Sequence, residues 1–132
     1  MNRRYLLAVV FLFAACVQSP AAPTFPPVVA GVWKLGRVQT FEPTSAPEVI
    51  RKIGTRGWWS AAYDGAGSAT VEMYALPGPA AGLEMVQQWR PVADTVVWYT
   101  PRYFVVVRWR SAEPAAVKAL IQELEKQFAE GK

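Results

Sequence analysis

Hydrophobic and polar residues alternate over two stretches of the chain, and each stretch predicts a β-hairpin. The first covers residues 58–77, with Asp64-Gly65-Ala66-Gly67 near its centre, and the second covers residues 94–110, with Thr100-Pro101-Arg102 inside it. Side chains of a strand point alternately to the two faces of a sheet, whereas Gly and Pro favour turns. Each stretch is therefore expected to form two strands around a tight turn.

Apolar residues at helical spacing follow each hairpin. Residues 80–89 predict one helix, which contains Gly82, and residues after the capping Ser111 predict a longer one with Pro114 in its first turn. The longer helix has an apolar stripe made of Val117, Leu120, Ile121, Leu124 and Phe128. A short helix is also predicted over residues 44–57, because Ser45 and Glu48 have capping-box spacing and Gly54 offers a stop.

The two hairpin-plus-helix segments align with an offset of 35 residues, which places Val71 on Val106 and Pro79 on Pro114. This alignment predicts a ββα unit that occurs twice, or a common architecture without duplication. The expected fold class is α+β, an antiparallel sheet with its helices packed on one face. A short N-terminal helix precedes the two units, and a strand is also predicted over residues 32–38.

The N-terminus has the anatomy of an export signal. Arg3 and Arg4 precede an apolar run that ends at the only cysteine, Cys16. The run is shorter than the roughly 20 apolar residues that span a bilayer. Phe13-Ala14-Ala15-Cys16 resembles a bacterial lipobox, in which the cysteine is lipidated, although such motifs usually have Leu where this chain has Phe13. Cleavage after Cys16 and retention as an uncleaved anchor are the alternatives.

These features divide the chain into three parts. Residues 1–22 are expected to form the signal peptide, which ends before Cys16 if the chain is a lipoprotein. Residues 17–30, rich in Pro and Ala, are expected to form a tether. Residues 31–132 are long enough for a single α+β domain with one core. The expected location is the bacterial cell envelope, in the periplasm or at a membrane, or alternatively outside the cell.

The composition excludes several chemistries. The chain has no histidine, which removes His-dependent catalytic arrangements and zinc sites built from His and Cys. Two of its 14 basic residues lie in the leader, so 12 stand against 10 acidic residues, a poor basis for binding nucleic acid. We therefore expect no catalytic residues, no metal, no cofactor and no nucleic-acid partner.

The aromatic residues provide a candidate binding face. Alternation in the strand that holds Glu72 predicts that Val71 and Met73 meet the helices and that Tyr74 lies on the open face near Trp58. The 35-residue repeat assigns Trp109 to the same open face, although hydrophobicity alone buries it. The predicted binding face therefore consists of Trp58, Tyr74 and Trp109, and it would contact a partner protein or a flat apolar ligand such as a sugar. The alternative is that these three residues belong to the core.

The order of elements resembles that of small exported bacterial proteins of unknown function. The resemblance covers residues 44–128 and rests on a Val-x-x-aromatic strand ending and a Pro-Ala-Ala helix start. It implies the α+β architecture and no activity.

Three functions remain open. The favoured one is an exported, lipid-anchored, non-catalytic module that binds or assembles an unknown envelope protein, with the membrane contacted through Cys16 if that residue is modified. The second is a binder of a glycan or lipid on the aromatic face. The third is a hydrolase that uses carboxylates such as Asp64 and Glu72.

Overall fold

A computed structural model describes residues 20–130, which form a six-stranded antiparallel sheet with helices on both of its faces. The order of strands in the sheet is β1-β2-β3-β4-β6-β5. The strands are β1 (Val28–Val29), β2 (Trp33–Phe41), β3 (Gly57–Asp64), β4 (Ser68–Ala75), β5 (Thr95–Tyr99) and β6 (Tyr103–Arg110). The helices are α1 (Glu48–Arg51), α2 (Pro79–Gln88) and α3 (Pro114–Glu130), and a 3-10 turn covers Pro43–Ser45. The α+β class is confirmed.

Both predicted hairpins are confirmed. β3 pairs with β4 around the Gly-containing turn, and β5 pairs with β6 around Thr100-Pro101-Arg102. Gly65 and Gly67 have φ of 146° and 134°, a region that favours glycine. A Cβ on Gly65 would lie 1.8 Å from the Val32 carbonyl oxygen, so this turn also requires glycine for the close approach of a neighbouring loop.

The helix predicted over residues 44–57 is much shorter in the structure and is not N-terminal to the sheet. Its α-helical part is confined to Glu48–Arg51, because Ala46 precedes Pro47 and has an extended ψ of 155°. The expected capping box is wrong, since Pro47 occupies the N-cap position. Strands β1 and β2 come before this helix, and the longer of them extends the strand predicted over residues 32–38.

The helices cover both faces of the sheet, so the prediction that they pack on one face is wrong. Leu120 and Leu124 of α3 pack in one cluster with Met73. Met85 of α2 packs in a second cluster with Tyr74. Met73 and Tyr74 are consecutive in β4 and therefore point to opposite faces. We call these the α3 face and the α2 face.

The two ββα units are not structural repeats. Residues paired across antiparallel strands share a face, and Met73 pairs with Val105. Odd-numbered residues of β4 therefore share a face with odd-numbered residues of β6. The offset of 35 is an odd number, so it aligns Val71, on the α3 face, with Val106, on the α2 face. Correspondingly, α2 and α3 lie on opposite sides of the sheet.

The packed body begins before residue 31, within the stretch predicted to be a tether. Phe25 and Val29 are buried in the α3-face cluster. The rings of Phe25 and Phe128 meet edge-on with centroids 6.3 Å apart. The Tyr63 hydroxyl donates a hydrogen bond to the Pro26 carbonyl at 2.8 Å. Proline prevents regular structure here but leaves an extended segment free to bury its apolar side chains, which the composition alone did not reveal.

Candidate functional site

Two of the three predicted binding residues lie together on the α2 face, where Tyr74 is in the core and Trp58 is partly buried against it. Trp58 and Tyr74 are paired across β3 and β4, with ring centroids 5.5 Å apart, and Phe41 stacks on the other side of Trp58 at 4.4 Å. Side chains of α1 and α2 cover them, and Tyr74 has no exposed surface. Tyr74 is thus part of the core of the α2 face, and Trp58 and Phe41 pack at its margin.

Trp109 lies on the opposite face, so the three residues do not form one surface. It pairs with Ala69 and packs at the margin of the α3-face cluster, where it stays half-buried. The repeat placed it wrongly because of the odd offset described above. Its hydrophobicity predicted the correct face.

The α2 face keeps one buried polar connection. The Tyr74 hydroxyl donates to one carboxylate oxygen of Glu72, and Arg108 Nη1 donates to the other. Desolvation, followed by the hydrogen bond to Glu72 and its negative charge, raises the pKa of Tyr74 well above its ordinary value. The phenol is therefore held neutral as a donor, and both carboxylate oxygens of Glu72 accept hydrogen bonds.

The two carboxylates of the predicted hydrolase site are not brought together. Glu72 bonds to Tyr74 and Arg108, whereas Asp64 accepts a hydrogen bond from Ser68 at the far end of the hairpin.

A different feature is open to a partner, the outer edge of β5. Among residues 20–130, β5 is the last strand of the sheet and pairs only with β6. Trp109 N donates to the Asp94 carbonyl at 3.1 Å, and Thr100 N donates to the Tyr103 carbonyl at 2.8 Å. Because hydrogen-bonded residues alternate along an antiparallel pair, residues 94, 96, 98 and 100 bond to β6. The main-chain groups of Thr95, Val97 and Tyr99 consequently point outward.

An apolar groove lies beside this edge, between β5 and α3. Its volume is about 540 Å³. We call it the edge groove, and its lining consists of Asp94, Val96, Trp109, Ala112, Pro114, Val117, Lys118, Ile121, Gln122 and Glu125. The apolar side chains form its floor, and the charged ones come from the start of β5 and the exposed side of α3. Trp109 is the predicted site residue that lines it.

The edge groove and the β5 edge together have the features that suit the addition of a strand. Within residues 20–130, no group of three or more Cys, Asp or Glu side chains is placed to hold a metal ion. In the same part of the chain no charged side chain is buried. Outward main-chain groups beside an apolar groove are the two elements by which a sheet edge accepts an added strand.

Sequence reasoning missed this site for a physical reason. The segment 95–99 contains no charge, which distinguishes it from edge strands that protect themselves with Lys or Pro. That signal becomes meaningful only once the strand is known to be at an edge. Its edge position depends on the long-range pairing of β4 with β6, which local patterning does not specify.

Cys16 and the predicted signal peptide lie in residues 1–19, outside the described residues. Within residues 20–130, no helix combines the length and apolar character that crossing a bilayer demands. Comparisons of the chain with models of protein families, with curated protein sequences and with solved structures found no match.

Proposed function

We propose that this chain is an exported, non-catalytic module of the cell envelope, anchored through a lipid on Cys16, that binds another polypeptide along the β5 edge. The observation that carries the proposal is the uncharged edge of β5 beside the edge groove, on whose outer side no strand of the described part of the chain pairs. An incoming strand would bond to the outward groups of Thr95, Val97 and Tyr99. Its alternate side chains would lie over the groove next to Val96.

The N-terminal contacts support a body held close to a membrane. The Ala21 carbonyl accepts a hydrogen bond from the Tyr103 hydroxyl at 3.0 Å, so the chain is already bound to the body at Ala21. Five peptide units separate Ala21 from Cys16 and reach at most about 18 Å. A lipid on Cys16 would therefore keep the end of the body that carries Tyr103 beside the bilayer.

The glycan-binding alternative loses most of its platform, because Tyr74 is fully buried, Trp58 is only partly exposed, and Trp109 lies on the other face. The hydrolase alternative loses its carboxylate pair, because Asp64 and Glu72 stand apart with separate partners. Neither alternative is favoured by a further observation.

The anchor is tested by the intact mass of the protein from the membrane fraction. We expect a chain that begins at Cys16 and carries a diacylglyceryl group. A chain in the soluble fraction that retains residues 1–15 would contradict export, and a chain that begins after Cys16 would contradict the anchor while leaving export in place.

The binding edge is tested by photo-crosslinking of the full-length chain in cells. A photoreactive residue at Thr95 should form covalent adducts with polypeptides. One at exposed Thr40 of β2 should not, because the outer edge of β2 is protected by a bulge and by the charged Lys34 and Arg37. Val97→Pro should abolish the adducts at position 95, because it removes an outward N–H, and Val97→Ala should preserve them. Equal adduct yields at positions 95 and 40, or adducts that survive Val97→Pro in a folded chain, would overturn the proposed edge.

A further inference from the structure

We propose that the polypeptide bound along β5 is a second copy of this chain, paired antiparallel about a two-fold axis at Val97. This inference rests on the proposed function only in that it names the occupant of the same edge. Two copies would form a continuous sheet of twelve strands, with both α3 helices on one side and both α2 helices on the other.

The register of the edge is self-complementary. β5 has five residues, and its central residue, Val97, directs its main-chain groups outward. A two-fold axis there pairs Val97 with Val97 of the second copy, and it pairs Thr95 of each copy with Tyr99 of the other, which makes three pairs. Each of these three pairs exchanges two hydrogen bonds, so all six outward N–H groups on the two strands find acceptors. A strand with an inward-facing central residue would leave its middle pair unbonded.

The side chains of β5 do not oppose this pairing. Like charges directly opposite one another destabilise a strand pair, and the segment 95–99 has no charged residue. Natural edges that avoid self-pairing usually carry Lys, Pro or a bulge. β5 has none of these, and its partly buried Val96 and Trp98 would lie opposite each other in the two copies.

The charges around the edge are arranged in complementary pairs under the same axis. α3 runs beside β5, because Lys118 lines the edge groove together with Asp94, whereas Phe128 lies beside Tyr103 at the other end. Lys118 therefore belongs to the half of α3 nearer Asp94, and Glu125 belongs to the half nearer Tyr103. Because the axis makes the two α3 helices antiparallel, the half that carries Lys118 in one copy would lie across from the half that carries Glu125 in the other.

A second complementary pair occurs at the ends of the strand. The register places Asp94 opposite Thr100 of the second copy, two residues from its Arg102. Asp94 and Arg102 are both exposed, so each is free to approach the opposite charge on the second copy. Parallel self-pairing would instead place like residues side by side. The charges thus favour the antiparallel register that the hydrogen-bonding groups also require.

Five edge residues form a small interface, below the roughly 1,200 Å² that stable complexes bury. The expected dimer is therefore weak and depends on concentration. Weak pairing is consistent with a monomer that remains folded while its β5 edge is unpaired.

Cysteine crosslinking of the full-length chain tests the register. Val97→Cys should form a disulfide-linked dimer on mild oxidation, because the Cα atoms of a hydrogen-bonded pair are about 5.5 Å apart, within the range of a disulfide. Thr95→Cys alone and Tyr99→Cys alone should not, because each faces the other position. A mixture of these two variants should form a heterodimer. Cys16 is common to all of them, and the wild-type chain measures its background.

The expected result is at least about tenfold more dimer for Val97→Cys than for Thr95→Cys, with the disulfide mapped by mass spectrometry to residue 97 on both chains. Equal yields for the two variants, or a disulfide from residue 97 to Cys16, would overturn the two-fold pairing. Sedimentation of the unmodified chain provides a second measurement. Val97→Pro should weaken its dimer about tenfold or more, and Val97→Ala should not.

The outcome separates this inference from the proposed function. Photo-adducts at position 95 that contain a different polypeptide, together with a monomer in sedimentation, would overturn self-pairing and leave the binding edge in place. The absence of any adduct at position 95 would overturn both.

Discussion

Tyr74 shows how one buried polar atom is accommodated in an apolar cluster. Its ring is packed between Trp58 and Phe104, and its hydroxyl reaches Glu72 at the margin of the covered region. Arg108, which is partly exposed, forms an ion pair with the Glu72 carboxylate and offsets its negative charge. The ring therefore contributes burial, and the hydroxyl avoids the cost of an unpaired buried donor.

Substitution of two of the three aromatic site residues, Tyr74 and Trp109, distinguishes core from surface. Tyr74→Ser should lower the free energy of unfolding by about 3–5 kcal/mol, because it removes a fully buried ring. Trp109→Ser should cost roughly 1–2 kcal/mol, since half-buried Trp109 lines the open groove. Tyr74→Phe, the matched control, should cost about 1 kcal/mol for the lost hydrogen bond. Urea denaturation measures all three, and a Tyr74→Ser chain as stable as wild type would contradict the core assignment.

Buried tyrosines also predict a loss of stability at alkaline pH. Burial raises the pKa of Tyr63 to about 12, compared with 10 in the unfolded chain, and also raises those of Tyr74 and Tyr103. Between pH 10 and pH 12, the tyrosine hydroxyl groups of the unfolded chain release protons that the buried tyrosines of the folded chain retain. Stability is therefore complete below pH 10 and falls as the pH rises toward 12.

The slope of stability against pH above 10 should become smaller in Tyr63→Phe, which removes one of these protons. Urea denaturation at several alkaline pH values, with tyrosinate absorbance followed in parallel, checks this. A slope that does not change in the variant would show that Tyr63 ionises in the folded chain at its ordinary pKa.

At the scale of elements, helix α2 depends on Gly82, although glycine has a low helix propensity. A Cβ on Gly82 would lie 2.4 Å from the Tyr99 ring, so α2 packs on β5 only because residue 82 has no side chain. Gly82→Ala should gain about 1 kcal/mol of helix propensity but lose roughly 1–3 kcal/mol to the clash, for a net destabilisation.

A double-mutant cycle isolates that contact. In a Tyr99→Ala background the clash is absent, so Gly82→Ala should become stabilising by about 1 kcal/mol. Thermal or urea unfolding measures both effects. If Gly82→Ala changes the free energy of unfolding in the same direction with Tyr99 and with Ala at position 99, the clash with Tyr99 is not the cause.

Local signals predicted the elements better than their arrangement. The hairpins around Gly65 and Pro101, and the helix starts at Pro79 and Pro114, follow from turn and capping chemistry that acts within a few residues. The side of the sheet on which each helix packs depends on the register of β4 against β6, a contact between distant segments. The same register makes β5 an edge strand. Local patterning therefore could not predict the candidate site, with the exception of Trp109.

At the scale of the whole molecule, the proposed dimer and the proposed anchor impose one orientation. Points related by a two-fold axis lie at equal heights along it. Both Cys16 residues therefore reach one bilayer when the axis is normal to the membrane. Ala21 is bound near Tyr103 and Phe128, on the side of the sheet that α3 covers. The α3 side of the twelve-stranded sheet would then face the membrane, and the α2 side would face away from it.

Anchoring should also strengthen the weak pairing of β5, because confinement to a surface raises the effective concentration of each copy. In cells, the disulfide-linked dimer of Val97→Cys should therefore decrease when Cys16→Ala removes the proposed lipid, at equal levels of exported chain. Immunoblotting under non-reducing conditions measures it, and Thr95→Cys with and without Cys16→Ala controls for random collision. An unchanged yield in the double variant would mean that membrane confinement does not drive the pairing, even if purified chains dimerise through Val97.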